Sequence, residues 1–479
     1  MHHGISTRAE LIDALRVAAE LEHQLMAQYL FAAYTLKRYT YEGLEPVLLE
    51  RVRRWASSIT LIVRQEMEHL GLALNLLSSI GGTPSFTRPN MPQKADYYGQ
   101  AGIKLELTRG DLETIKRFQR FEAPDNLVQG LAPGQPVDQE AALLWCDSEP
   151  ILGSRLDLTK LLGSKKLKAA PVTSFGWSSI QELYQTIHNG FVTLSEAMGE
   201  RNLFVGKPSL QIFGGPGGRQ PTGSMDDLNQ YGVDLIGVTN LAGAKQAIAM
   251  ILEQGEGIQA KPGYLPWTHF CLFTHIRAEM EQYDPQGLCA RPVVRNPMTT
   301  RYPDVPQDEV TLLTDPVTIE VAKLFNGSYE LMLLMLLYLY SDNVKTQEQV
   351  NGMMDGAFFP LMTMFVRPLA EVLTELPAFT ETTKGELHNA GPGFELNGDV
   401  LLVPTIDATW DLFQERIDVL AAGFDALLAG GDPWLDLPNQ KEEGETSSRI
   451  RRRLEYMRSN MKRLAFDWRA HWNIGYSSQ

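Results

Sequence analysis

Two acidic residues and a histidine fall where the helical pattern calls for apolar side chains. Across residues 7–38, Leu11, Leu15, Ala18, Leu25, Tyr29, Ala33 and Leu36 recur at helical spacing, and Glu22 lies on that stripe. A second stripe, from about Leu48 to Ile80, carries Ile59, Ile62, Val63, Leu70, Ala73 and Leu76. Glu66 and His69, three apart, share its face. Glu20 beside Arg16 and Gln24, and Glu68 toward Arg64, read as solvated. An ionised carboxylate inside a helix pair costs several kcal/mol unless a positive charge compensates it. Metal cations supply that charge in helix bundles, where a Glu from each of two helices joins Glu-x-x-His from the other two. Oxygen and nitrogen donors with open positions suit two iron ions, with manganese as the other fit. The alternative is a buried arginine against Glu22 and a hydrogen bond between Glu66 and His69.

The second half of such a site is less regular in the sequence. A fourth helical segment closes on Glu253-Gln254-Gly255-Glu256-Gly257, with Glu256 where a second histidine is expected. Histidine arrives only after a Pro/Gly-rich loop, at His269, in phase with Phe273 and Ile276. Glu182 is the candidate of the third helix, although it also sits three residues after Ser179, at a capping-box position. His188 and His275 are reserve donors. The expected ligands are thus Glu22, Glu66, His69, Glu182, Glu253, Glu256 and His269. Tyr29, seven residues after Glu22, is the expected catalytic side chain, as electron donor or hydrogen-bond partner.

Positioning these residues requires long helices, and the pattern provides them. Thr7 and Glu10 form a capping box for the first, and Gly81-Gly82 with Pro84 stops the second. Further helices are expected at about Ser179–Met198, Leu241–Glu256, Thr268–Glu281, Val317–Asp342, Val350–Leu376 and Thr405–Leu428. Pro360 and Pro368 should bend the seventh of these eight. Irregular insertions at about 85–175 and 201–240 interrupt the pattern. The first holds a strand-like Lys104–Leu107 and a short helix near Asp111–Phe121. The 479 residues then divide into a bundle with insertions (1–300), a helical region packed on it (301–430), and a linker with a basic tail helix (431–479). From Arg449 to Trp472 the tail holds eight basic and two acidic residues beneath an Ile450, Leu454, Met457, Met461, Leu464, Trp468 and Trp472 stripe. It should dock on its own acidic body or on a partner, a second copy included.

A net charge of −15 argues against nucleic acid as the partner. The longest apolar run, Leu331–Tyr340 with Met332 and Met335, is core and about half a membrane span. Three cysteines are too few for a disulfide framework, and with no signal-peptide pattern a cytoplasmic setting is expected. Gly214–Gly218 lacks the Lys-Ser/Thr of a phosphate loop.

Leu21-Glu22-His23 with Tyr29-Leu30, Glu66-Met67-Glu68-His69-Leu70 and Asn75-Leu76-Leu77 running to Gly81-Gly82-Thr83-Pro84 resemble a known family. So do Glu253 to Gly257, Thr268-His269-Phe270 and Ala390-Gly391-Pro392-Gly393-Phe394. The family is that of iminophenyl-pyruvate dimer synthase domains, one half of the violacein- and rebeccamycin-pathway enzymes that couple aryl-pyruvate imines. The resemblance spans about residues 7–395. It implies a mainly α protein built on a ferritin-like four-helix bundle, and a place in secondary metabolism. Combined with the phased carboxylates, it leads to the expectation of a dinuclear non-haem iron oxidase or oxygenase. Its partners would be O₂ and a small, amino-acid-derived substrate. Metal storage or detoxification, and a non-catalytic partner with a vestigial site, are the alternatives.

Overall fold

A computed structural model describes residues 4–94, 97–98, 104–132, 134–147, 177, 179–213, 234–255, 267–341, 353–380, 388–402, 405–430 and 448–472. The described residues are mainly helical, with one parallel two-stranded ladder pairing Pro297–Met298 (β1) with Thr311–Leu312 (β2). Contacts divide the chain into two compact units. The first comprises residues 1–86, 93–106 and 110–290, and the second residues 87–92, 107–109 and 291–479.

Two long helices, α1 (Arg8–Thr35) and α2 (Pro46–Ser79), form the spine of the first unit. The expected capping box opens α1: Glu10 N–H donates to the Thr7 hydroxyl, and the Thr7 N–H donates to the Glu10 carboxylate. Pro46 occupies the first turn of α2, where its missing N–H costs nothing. Gly81, at φ +83°, turns the chain out of α2 in a conformation that disfavours a side chain. Both helices bury most of their length, and each large apolar side chain so buried contributes about 1.5–3 kcal/mol.

Against this pair pack α5 (Ile180–Met198) on α1, and α6 (Leu241–Gly255) on α2 and α5. A further helix, α7 (His269–Tyr283), starts with Thr268 as its N-cap and packs on α2. Between α2 and α5 the chain forms α3 (Leu112–Phe121) and α4 (Gln139–Asp147), both packed on α7. Cys146 of α4 is disulfide-bonded to Cys271 of α7, with Cα atoms 5.5 Å apart. The sparse cysteine count gave no sign of this pairing. The bridge lies in an apolar cluster with Ala123, Val128, Val137, Ala142 and Phe270. The strand expected at Lys104–Leu107 does not form. Its backbone is satisfied otherwise: Glu106 N–H donates to the Gln28 side chain, and Leu105 C=O accepts from Gln93.

The second unit holds α8 (Pro316–Leu339), α9 (Arg367–Leu373), α10 (Ile406–Ala429) and α11 (Arg449–Asp467). Pro360 does more than bend its helix. Wide π-helical turns, Met354–Phe358 and Leu361–Val366, flank it, as expected where a ring displaces a backbone hydrogen bond. Gly356–Leu373 has the length and hydropathy of a membrane span, yet 56% of it is buried within the protein. The basic helix α11 docks on its own unit. Ile450, Leu454 and Met461 are fully buried, Arg449 and Arg453 reach Glu375, and Lys462 reaches Asp425.

Candidate metal centre

Glu66 is buried in the first unit, and its two carboxylate oxygens face different imidazoles. Oε2 is 3.5 Å from His69 Nδ1, and Oε1 is 3.0 Å from His269 Nδ1. Each imidazole has a further carboxylate beside it. His69 Nδ1 is 3.8 Å from Glu22 Oε2, and His269 Nδ1 is 3.4 Å from Glu122 Oε2. All five side chains are buried, none more than 3% exposed. The result is two matched half-sites, Glu22 with His69 and Glu122 with His269, sharing Glu66.

The surroundings repeat the match. Tyr184 Oη donates to Glu22 Oε1 over 2.5 Å, and Tyr29 Oη donates to Glu122 Oε1. The far nitrogen of each ring meets a glutamine: His69 Nε2 is 2.9 Å from Gln254 Oε1, and His269 Nε2 is 3.2 Å from Gln65 Oε1. An amide oxygen only accepts, so each Nε2 carries a proton, and in its neutral form each ring turns a bare Nδ1 lone pair on carboxylate oxygens. Lone pairs do not attract lone pairs. Among the described residues Glu66 Oε2 and His269 Nδ1 have no well-aligned hydrogen-bond partner. This donor set therefore fits a cation: three carboxylates and two imidazoles converge with their Nε2 atoms tied back, as metal-binding histidines are held.

Electrostatics tell the same story. Burial and then neighbouring Glu66 hold the Glu22 carboxyl well above its ordinary pKa. Burial likewise raises Glu66, against the opposing pull of His269. Burial alone would depress His269, but Glu66 and Glu122 carry it up to about 10. Burial would raise Glu122, yet the adjacent His269 brings it below the usual range. The cluster's demand for positive charge thus falls on one imidazole when no ion supplies it. Tyr29 and Tyr184, buried beside Glu122 and Glu22, are held well above the ordinary tyrosine pKa and keep their protons. A cavity of about 10 Å³ to a water-sized sphere, bordered by Glu22, Glu66, His69 and Glu122, is walled by Ile180 and Ile251. That is room for about one water molecule.

Of the ligands expected from sequence, the fold brings together Glu22, Glu66, His69 and His269. Glu182 stands in the first turn of α5, half-buried, its N–H capped by Ser179 and its charge acting on Asp125. From α5 it is Tyr184 that reaches the cluster. Glu253 is also half-buried, and the next residue, Gln254, is the one that turns to His69. Glu256 lies outside the described residues, as does Gly214–Gly218. Glu68 is corrected outright: it is 3% exposed and accepts from Gln254 Nε2 at 3.1 Å. Sequence reasoning missed Glu122. It caps the C-terminus of α3, inside a stretch read as irregular, and Phe118-x-x-Phe121-Glu122 was its one signal.

The family described as Ferritin-like matches residues 15–278, a span that encloses every donor from Glu22 to His269. Dichlorochromopyrrolate synthase of Lentzea aerocolonigenes is 25% identical over 461 residues, which cover 87% of this chain and 39% of that protein. The 2-imino-3-(indol-3-yl)propanoate dimerase of Chromobacterium violaceum is 25% identical over 395 residues, 78% of this chain and 33% of its own. The chain therefore spans well under half the length of these two relatives. A ferritin-like protein from Caulobacter vibrioides superposes with a TM-score of 0.44 at 17% identity, covering 79% of this chain and 99% of its own.

Proposed function

Because the chain belongs to the ferritin-like family, we propose that its first unit is a dinuclear non-haem metal centre, of iron or else manganese. It would serve an O₂-dependent oxidase or oxygenase acting on a small, amino-acid-derived substrate in secondary metabolism. The observation that carries this reading is Glu66, whose two oxygens face two imidazoles in otherwise matched surroundings. Glu22, Glu66 and His69 would hold one ion, and Glu66, Glu122 and His269 the other. Bound there, two ferrous ions would supply the electrons that reduce O₂ and a Lewis acid for the substrate.

The chain's own residues make that chemistry selective. Tyr29 and Tyr184 donate hydrogen bonds that fix the outer carboxylates, and as protonated phenols they leave the carboxylate charge on the centre. Ile180 and Ile251 hold bulk water away. The cavity has room for about one water molecule, so a larger substrate requires this wall to yield. The two relatives named for chromopyrrolate and indole-imine chemistry support an aromatic amino-acid derivative as the class to try first.

The test is anaerobic ferrous loading followed by metal analysis of wild type and Glu66→Ala. About two ions per chain, lost in the variant, is expected, with O₂ uptake in the presence of an indole-derived imino acid. Less than about half an equivalent, unchanged in Glu66→Ala, overturns the reading.

A further inference from the structure

Glu68 and Gln254 are two buried polar residues that the proposed chemistry does not use. They form a chain behind His69. Gln254 Nε2 donates to Glu68 Oε2 at 3.1 Å, and Gln254 Oε1 faces His69 Nε2 at 2.9 Å. Glu68 is itself 3% exposed and Gln254 9%. The orientation of the amide follows from chemistry: a carboxylate accepts and does not donate, so the NH₂ end points to Glu68 and the carbonyl must point to His69. Were the amide reversed, its NH₂ would meet His69 Nε2, which would then have to be bare. The ring proton would move to Nδ1, the atom that faces Glu22 and Glu66.

We infer that Glu68 and Gln254 are positioning residues, a carboxylate–amide–histidine relay that sets the tautomer of His69 and so leaves Nδ1 free to bind metal. The inference rests on the metal reading above. A metal-bound histidine commonly donates its other N–H straight to a carboxylate. Here the amide stands between, passing on the orientation and the polarising effect of the Glu68 charge while keeping that charge one side chain away from the centre.

The relay is tested with Gln254→Leu, Glu68→Gln and the double exchange Glu68→Gln/Gln254→Glu. Co²⁺ affinity is measured by competition with a chromophoric chelator, and ¹⁵N spectra of histidine-labelled metal-free protein report the tautomer. Gln254→Leu removes the acceptor and should weaken Co²⁺ binding by about 10–100-fold. It should also move the His69 signal away from the pure Nε2–H form. In the double exchange the carboxylate, now at position 254, accepts from His69, and the amide, now at position 68, donates to that carboxylate. The relay is thus rebuilt with its charge shifted. It should bind Co²⁺ as tightly as wild type, an outcome that packing alone does not predict. Gln254→Leu within about twofold of wild type, or a double exchange as weak as Gln254→Leu, overturns the relay. Wild-type protein that binds no Co²⁺ would sink the metal reading instead. The ¹⁵N spectra would then decide the relay alone, and an unchanged tautomer in Gln254→Leu would refute it.

Discussion

The two half-sites are unequal in what each residue controls, and substitutions should separate them. Glu66 faces both imidazoles, whereas Glu122 faces His269 alone. Glu122→Ala should therefore retain about one ion per chain by metal analysis, where Glu66→Ala retains close to none. Glu22 gives a second test, with opposite signs for stability and binding. Its folded pKa is raised, so in metal-free protein the ionised carboxylate opposes folding at neutral pH, and protonation relieves this as pH falls through that raised value. Glu22→Gln should raise the metal-free melting temperature, by an amount worth about 1 kcal/mol. The advantage should shrink toward low pH. In calorimetry the same variant should lose the stabilisation that added metal gives wild type. A lower melting temperature for metal-free Glu22→Gln at neutral pH would contradict the argument. Glu22, Glu66 and His69 were legible in the sequence because each interrupts an apolar stripe, and a charge on an oily face demands a reason. Gln254 was not legible, since a neutral amide between Glu253 and Gly255 breaks no pattern. Glu68 was misread because helical phase shows a residue's face and not what packs over it.

At the scale of elements, the long helices followed from spacing and caps, and their observed ends lie within a few residues of expectation. The start of a new helix at His269 was legible too, from the histidine placed beyond the Pro/Gly-rich stretch. Glu122 was hidden for a reason of length: α3 spans ten residues, too few for a stripe whose interruption could be noticed. Its partner His269 is remote in sequence, and only tertiary packing joins them. The tail helix shows which forces hold an element in place. Met457 is 1% exposed, whereas the Arg453 side chain, paired with Glu371 and Glu375, is 22% exposed. Met457→Asp should cost about 3 kcal/mol or more and open residues 449–472 to limited proteolysis. Arg453→Ala should cost no more than about 1 kcal/mol and leave the digestion pattern unchanged.

For the whole molecule, the Cys146–Cys271 bridge closes a loop of 125 residues around α5 and α6. Removing such a constraint from the unfolded chain costs up to about 4–5 kcal/mol. Cys146→Ser, or full reduction, should therefore lower the melting temperature of the first unit, and scanning calorimetry with and without a thiol reductant measures it. Equal melting of the oxidised and reduced forms would show that the bridge contributes nothing to stability. Ala123 and Phe270 of the apolar cluster adjoin Glu122 and His269 in sequence, so on the proposed dinuclear reading the loosened form should also hold a second ion less tightly.

On the proposed dinuclear reading, one carboxylate shared by two neighbours would make their uptake of ions interdependent. Electron density drawn through one oxygen of Glu66 would be withdrawn from the other, and a first ion would also add a positive charge next door. The isotherm for filling the pair should not be that of two independent pockets. It should be stepwise, with a tight first equivalent and a weaker second, unless an anion arrives between them to offset the charge. Glu66 would thereby make the metal count of a loaded preparation a report on what else is bound there.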